Sequence, residues 1–70
     1  MTDTKFLVVL GARIKEIRLQ KEMTQNELAM QCNFEKASMS RIESGKTNIT
    51  ILTLWKISRA LETDIPEFFM

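Results

Sequence analysis

The sequence predicts an all-α fold, with five short helices packed as a single compact domain over residues 1–70. Three observations lead to this prediction. Apolar residues recur at intervals of three and four positions, which is the period of an amphipathic helix. The scarce glycine and proline residues stand at points where helices should begin or end. No stretch shows the sustained alternation of apolar and polar residues that a β-strand requires.

The first helix is predicted from about Thr4 to Lys21. Its inward stripe follows helical spacing and consists of Phe6, Leu10, Ile14 and Ile17. The candidates for its N-cap are Thr2, Asp3 and Thr4. Val8 and Val9 fall outside the stripe, so they either face a partner subunit or belong to an irregular first turn.

The second helix has a defined beginning at Thr24. Glu27 follows three residues later, and this spacing is that of a capping box. The inward residues are Leu28, Ala29 and Cys32. Asn33 tolerates the left-handed conformation that ends a helix sharply, and Phe34 would anchor the turn in the core.

A third helix follows from about Glu35 to Ser44, with Met39 and Ile42 facing inward. Gly45 is placed to end it as a C-terminal cap. Two short helices joined by a tight turn form a helix-turn-helix unit, so residues 24–45 predict this motif as the centre of the fold.

The remaining residues predict two more helices. Thr50 would cap the fourth, whose inward residues are Ile51, Leu54, Ile57, Ala60 and Leu61. Asp64 would open a fifth, with Pro66 near its start and Glu67 at the capping-box position.

Residues that can read DNA cluster on the side of the third helix opposite Met39 and Ile42. The candidates for base contacts are Lys36, Ala37, Ser40 and Arg41. Lysine and arginine bond guanine O6 and N7, and the methyl of an alanine contacts thymine. Each residue alone also fits an ordinary solvated helix surface. Their grouping just beyond a helix-turn-helix junction favours binding in the major groove of double-stranded DNA.

A second group of polar residues suits the DNA backbone. Gln25 lies in the first turn of the second helix, where its amide and free backbone N–H groups can hold a phosphate or simply assist the cap. The other backbone candidates are Ser38, Lys46, Thr47 and Asn48. Turn chemistry alone would also select the last three.

The composition argues against several other classes of protein. The chain has no histidine, no tyrosine and no glycine-rich phosphate loop, so we expect no enzyme, no cofactor and no metal site. Cys32 is the only cysteine, which excludes an internal disulfide and fits a reducing compartment. The apolar run before Gly11 is too short to span a membrane or to resemble a signal peptide, so we expect a cytoplasmic protein.

From about residue 10 to residue 69, nearly the whole chain, the sequence resembles the helix-turn-helix domain of phage repressors, Cro proteins and bacterial Xre-type regulators. The resemblance rests on MTQNELAMQC, MSRIESGKTN and LWKISRALETDIPEFF at their observed spacing. It implies base contacts, backbone contacts and a phosphate-binding Gln25 at the positions given above. It also implies that Arg18 and Glu43, each following a core isoleucine, form an ion pair between the first and third helices. Glu35 departs from the pattern, because serine or threonine usually stands there.

One domain of this size contacts few DNA phosphates, so useful affinity normally needs two copies on two half-sites. A protein that resembles this family is therefore expected to bind a (pseudo)palindromic operator as a homodimer. The candidate interface residues are Leu52, Trp55, Ile65, Phe68, Phe69 and Met70, with Val8 and Val9 as a second possibility. Trp55 and Phe68 could equally complete the core. An alternative function is an antitoxin-type interaction module, in which the same apolar surface would hold a partner toxin and DNA binding would be secondary.

Overall fold

A computed structural model describes residues 1–70 as four α-helices and one terminal 3₁₀-helix. The elements are α1 (Asp3–Gln20), α2 (Gln25–Gln31), α3 (Lys36–Glu43), α4 (Ile51–Ala60) and the 3₁₀-helix (Ile65–Phe69). The all-α prediction holds, but the prediction of five α-helices is wrong. The last segment has only five residues, and a run this short adopts the tighter 3₁₀ geometry. None of the helices combines the length and apolarity that a membrane crossing requires.

Three threonine caps set where helices begin. The side-chain oxygens of Thr2, Thr24 and Thr50 accept hydrogen bonds from backbone N–H groups three residues later, at 3.1, 3.0 and 3.1 Å. At Thr24 the Glu27 carboxylate accepts the returning bond from the Thr24 N–H, at 2.8 Å, and completes the predicted capping box. These bonds satisfy backbone donors that a helix leaves unpaired at its first turn. Asp64 makes no such bond, so the capping box predicted at Glu67 is wrong.

Four helix ends turn through the left-handed region. Asn33 and Gly45 have φ of 61° and 73°, as predicted, and end α2 and α3. Glu22 and Glu62 have φ of 56° and 53° after α1 and α4, without a glycine or asparagine to favour it. The sequence therefore locates two of these turns by residue type, and the other two only by where the helical patterns stop.

The core lies where the inward faces of all five elements meet. Its buried apolar members are Leu10, Ile14, Ile17, Leu28, Ala29, Cys32, Met39, Leu54, Ile57, Leu61 and Phe68. Two residues predicted to face inward are exposed instead, and two others, Ile42 and Ala60, are half-buried against this core. Phe6 is 46% exposed and stacks on Phe69, with ring centroids 6.1 Å apart. Ile51 is 72% exposed, because it is the first residue of α4 and the first buried residue of that helix is Leu54, one turn later.

The α1–α3 contact is close because both glycines of the chain lie in it. A β-carbon on Gly11 would stand 2.4 Å from the carbonyl oxygen of Ile42, and one on Gly45 would stand 2.6 Å from the backbone of Val8. α1 is regular from Asp3 onward, so the irregular first turn considered for Val8 and Val9 is excluded. Both valine side chains are exposed. The two glycines therefore let α3 dock against α1 backbone to backbone.

Candidate nucleic-acid interface

A buried ion pair fixes α3 to α1. Arg18 Nε lies 2.7 Å from Glu43 Oε2, and Arg18 Nη2 donates to Glu43 Oε1 at 3.0 Å. The remaining Nη1 donates to the backbone carbonyl of Met23 at 2.8 Å, in the loop before α2. This two-bonded geometry matches the planar guanidinium to the carboxylate, and both side chains are buried. The pair therefore holds α1, the α1–α2 loop and α3 in one fixed arrangement.

Gln25 joins the same carboxylate from the first turn of α2. Its amide Nε2 donates to Glu43 Oε1 at 3.1 Å, and the side chain is half-buried. A primary amide carries two N–H groups, so one of them remains available to an acceptor outside the protein. No buried side-chain nitrogen or oxygen in the chain lacks a partner. The network thus orients Gln25 without occupying all of its donors.

The outer face of α3 is polar and solvent-exposed. All four base-contact candidates, namely Lys36, Ala37, Ser40 and Arg41, have exposed side chains. The three ion pairs of the chain are Arg13–Glu16, Arg18–Glu43 and Arg59–Asp64. Lys36, Arg41 and Lys46 therefore have no acidic partner. Glu35, the N-cap of α3, is exposed and makes no capping hydrogen bond. The face leaves positive charge available for an anionic ligand.

Two shallow depressions border this face on opposite sides. We call the first the three-helix depression, which is lined by Lys15, Gln25, Ser40, Glu43 and Ser44. We call the second the α4 depression, which is lined by Phe34, Ser38, Arg41, Ile42, Thr47, Asn48 and Thr53. Residues 40 and 44 follow one stripe of α3 and residues 38 and 41 follow another, since residues three or four apart share a helix face. The structure thus divides the predicted polar residues into two groups.

The loop after α3 has its own hydrogen bonds. Asn48 Oδ1 accepts from the Ile49 backbone N–H at 3.1 Å, and the Thr47 hydroxyl donates to the Asn48 carbonyl at 3.4 Å. Both residues therefore shape the turn and also line the α4 depression. Lys46 is exposed and lines neither depression. These hydrogen bonds agree with the interpretation that Thr47 and Asn48 form the turn. Contact of these residues with the DNA backbone remains a prediction.

The candidate dimer residues divide by burial. Leu52, Trp55, Phe69 and Met70 are exposed on α4 and the 3₁₀-helix. Ile65 is half-buried against the core. Phe68 is only 2% exposed, so placing it in an interface is wrong, and the core interpretation is the correct one. Its ring belongs to the core, and the 3₁₀-helix that carries it contacts α1 and α4.

Cys32 is buried beside α4, as the sequence predicts. Burial raises the pKa of its thiol, and the nearby Lys56 only partly opposes that effect. A raised pKa keeps the group as the neutral thiol, which packs as a small apolar side chain.

Sequence reasoning missed Lys15, Ser44 and Thr53 as residues beside the polar face. Lys15 lies three residues before Arg18, so the two share one side of α1. Since the resemblance predicts that Arg18 reaches α3, the three-residue spacing also predicts that Lys15 lies on the side of α1 that faces α3. Ser44 bonds the Ser40 carbonyl at 2.9 Å, as a helix-end hydroxyl often does, and gave no separate signal.

A tight turn between two short helices, with the second helix exposed along a polar and cationic face, defines a helix-turn-helix protein. The model of the helix-turn-helix family matches residues 14–68. The chain belongs to this family of Xre-like, DNA-binding transcription regulators.

The chain is also similar to two control proteins and an antitoxin. Control protein C.MunI from a Mycoplasma species is 33% identical over 70 residues, covering 99% of this chain and 92% of that protein. The crystal structure of the restriction-modification controller protein C.AhdI from Aeromonas hydrophila superimposes with a TM-score of 0.90, at 28% identity over 93% of this chain and 98% of that one. Antitoxin HipB from Escherichia coli K12 is 36% identical over 53 residues, or 76% of this chain and 60% of HipB.

Proposed function

We propose that the protein is a sequence-specific transcription regulator that binds a (pseudo)palindromic DNA operator as a homodimer, with α3 in the major groove. The observation that carries the proposal is the outer face of α3, where Lys36 is exposed and Ser40 and Arg41 each line one of the two flanking depressions. The groove is about 12 Å wide, which admits one α-helix. A helix in that position has a phosphate backbone on each side.

Within the groove, the cationic residues would supply the sequence preference. Arg41 has the fork geometry for two hydrogen bonds to guanine O6 and N7, and Lys36 can reach the same acceptors. Ala37 would contact a thymine methyl. We therefore expect G·C pairs within each half-site.

The exposed apolar residues of α4 and the 3₁₀-helix support a dimer. Leu52, Trp55, Phe69 and Met70 are large and exposed, although the chain is small and needs its apolar side chains for stability. Covering them with a second copy would bury them and give two α3 helices for two half-sites. In helix-turn-helix dimers the half-sites lie about 34 Å apart.

The similar control proteins suggest the biological role. C.MunI and C.AhdI are control proteins, the latter of a restriction-modification system. We infer that this chain regulates genes of such a system. The similarity to antitoxin HipB favours one second candidate, in which the same apolar surface holds a toxin. Isolation with a stoichiometric, unrelated small protein would support the antitoxin role, and isolation as a homodimer would support the regulator.

Selection of bound sequences from a random duplex pool tests the proposed function. The expected result is a symmetric motif with G·C pairs in both halves and centres about one helical turn apart. A single asymmetric motif would contradict the dimer. The absence of any enriched sequence would contradict specific recognition.

Arg41→Ala should weaken binding to the selected operator by about 1–3 kcal/mol and relax the preference at one base pair in each half-site. The side chain makes no ion pair, so its loss should not destabilise the fold. Titration of labelled operator and random duplex measures both effects. Lys5→Ala, which removes an exposed cation that forms no ion pair and lines neither depression, serves as the charge-matched control. Equal losses on operator and random DNA would show that Arg41 contacts only phosphate.

Gln25→Ala should instead weaken binding to all duplexes similarly, because we expect Gln25 to contact the DNA backbone and not a base.

A further inference from the structure

We propose that Lys15, Gln25 and Ser40 form a binding site for one DNA backbone phosphate in the three-helix depression. The inference rests on the proposed function, and it adds a lysine from α1 to the DNA-contacting residues. It also reassigns Ser40 from base contact to phosphate contact.

The geometry of the depression supplies the first argument. Each of α1, α2 and α3 contributes at least one polar side chain, and no apolar side chain lines the depression. Polar side chains from three helices therefore border one small volume, and such a set suits a tetrahedral anion with several acceptor oxygens. Ser40 lies here beside Gln25, whereas Arg41, its neighbour in sequence, lines the α4 depression. The structure therefore groups Ser40 with Gln25, the proposed phosphate contact, and apart from Arg41.

The charge balance supplies the second argument. Glu43 also lines the depression, and an uncompensated carboxylate there would repel a phosphate. Both of its oxygens accept bonds from Arg18, at 2.7 and 3.0 Å, and Oε1 also accepts from Gln25 at 3.1 Å. With that negative charge paired, the Lys15 ammonium is the unpaired charge of the depression. The side chain of Lys15 is exposed and forms no ion pair.

The positioning of Gln25 supplies the third argument. One amide N–H is used by Glu43, which fixes the orientation of the side chain at the edge of the depression. The second N–H is free for an external acceptor. A donor held in place before the ligand arrives loses little conformational freedom on binding.

The test measures DNA affinity of the full chain across a series of salt concentrations for Lys15→Gln, Ser40→Ala and the control Lys5→Gln. Lys5 lies on the same helix, is exposed and lines neither depression, so its substitution changes net charge identically. Loss of one phosphate contact lowers the slope of log K against log salt by about 0.9 per protomer. For Lys15→Gln we therefore expect this lower slope and a DNA affinity about five- to ten-fold weaker per protomer at 0.1 M salt. The affinities of the variant and the wild type should converge near 1 M salt.

Three outcomes decide the inference. Losses for Lys15→Gln and Ser40→Ala that are equal on operator and random duplex, with an unchanged slope for Lys5→Gln, support the phosphate site. A Ser40→Ala loss confined to the operator would return Ser40 to base contact and overturn the site as described. A Lys15→Gln slope equal to wild type would overturn the role of Lys15. In both latter cases an enriched symmetric motif would still uphold the proposed function. Unchanged thermal unfolding of each variant shows that the fold is intact.

Discussion

Glu43→Ala is expected to lower the free energy of unfolding by about 3–5 kcal/mol, because it leaves the buried guanidinium of Arg18 without its counter-charge. The loss is large for this chain, since small domains have little stability in reserve. Urea unfolding followed by circular dichroism measures the change from the shift in midpoint. The Gln25 amide would also lose its acceptor, so α2 would be less firmly tied to α3.

Two further variants separate the reasons for this loss. Glu16→Ala breaks the exposed Arg13–Glu16 pair and should cost no more than about 1 kcal/mol. The double variant Arg18→Met with Glu43→Leu removes both buried charges and should be more stable than Glu43→Ala alone. Equally small losses in the free energy of unfolding for Glu43→Ala and Glu16→Ala would show that the buried ion pair does not stabilise the contact between α1 and α3. If the double variant folds but binds all DNA weakly, the network acts in binding through Gln25.

Gly11→Ala is expected to destabilise the fold by at least about 1–3 kcal/mol, which is the usual range for overpacking. The added carbon would lie 2.4 Å from the Ile42 carbonyl oxygen and 2.6 Å from that of Glu43. Both are backbone atoms, so no side-chain rotation relieves the clash and α1 must move away from α3. The higher helix propensity of alanine favours the variant by only about 1 kcal/mol and should not compensate.

Ala12→Gly is the matched control for Gly11→Ala. It lies next to Gly11 with its side chain exposed, so it reports the helix-propensity effect alone. Thermal unfolding and operator binding should be measured on both variants. Gly11→Ala should lose operator affinity beyond its unfolded fraction, because a displaced α1 draws Arg18 away from Glu43. An unchanged or higher midpoint for Gly11→Ala would show that the two helices separate without penalty.

Features determined by neighbouring residues could be predicted from the sequence. The Thr24–Glu27 capping box, the Asn33 turn and the Gly45 helix end each depend on a few consecutive residues, and all three appear in the structure. The exposed face of α3 follows from helical periodicity in the same way. The sequence resemblance, rather than any local pattern, suggested that Arg18 and Glu43 meet across 25 positions.

Features determined by how helices dock could not be predicted. Periodicity placed Phe6 on the inward stripe of α1, but only the end of the 3₁₀-helix reaches it, where its ring stacks on Phe69 and stays partly exposed. From the sequence alone, Gly11 is only a residue of low helix propensity inside α1. Its packing role follows from the backbone of α3, which lies directly against it. The separation of Ser40 from Arg41 into two depressions likewise requires the relative positions of α1, α2 and α4.

Trp55 gives the chain a single fluorescent reporter on its surface. It is the only tryptophan, there is no tyrosine, and it is 51% exposed on α4. Its emission in the monomer already comes from a half-hydrated ring, so unfolding should change it less than burial by a partner would. The intrinsic fluorescence of the unmodified protein therefore reports mainly on what covers α4. A dilution series read at the emission maximum can follow subunit association without any label.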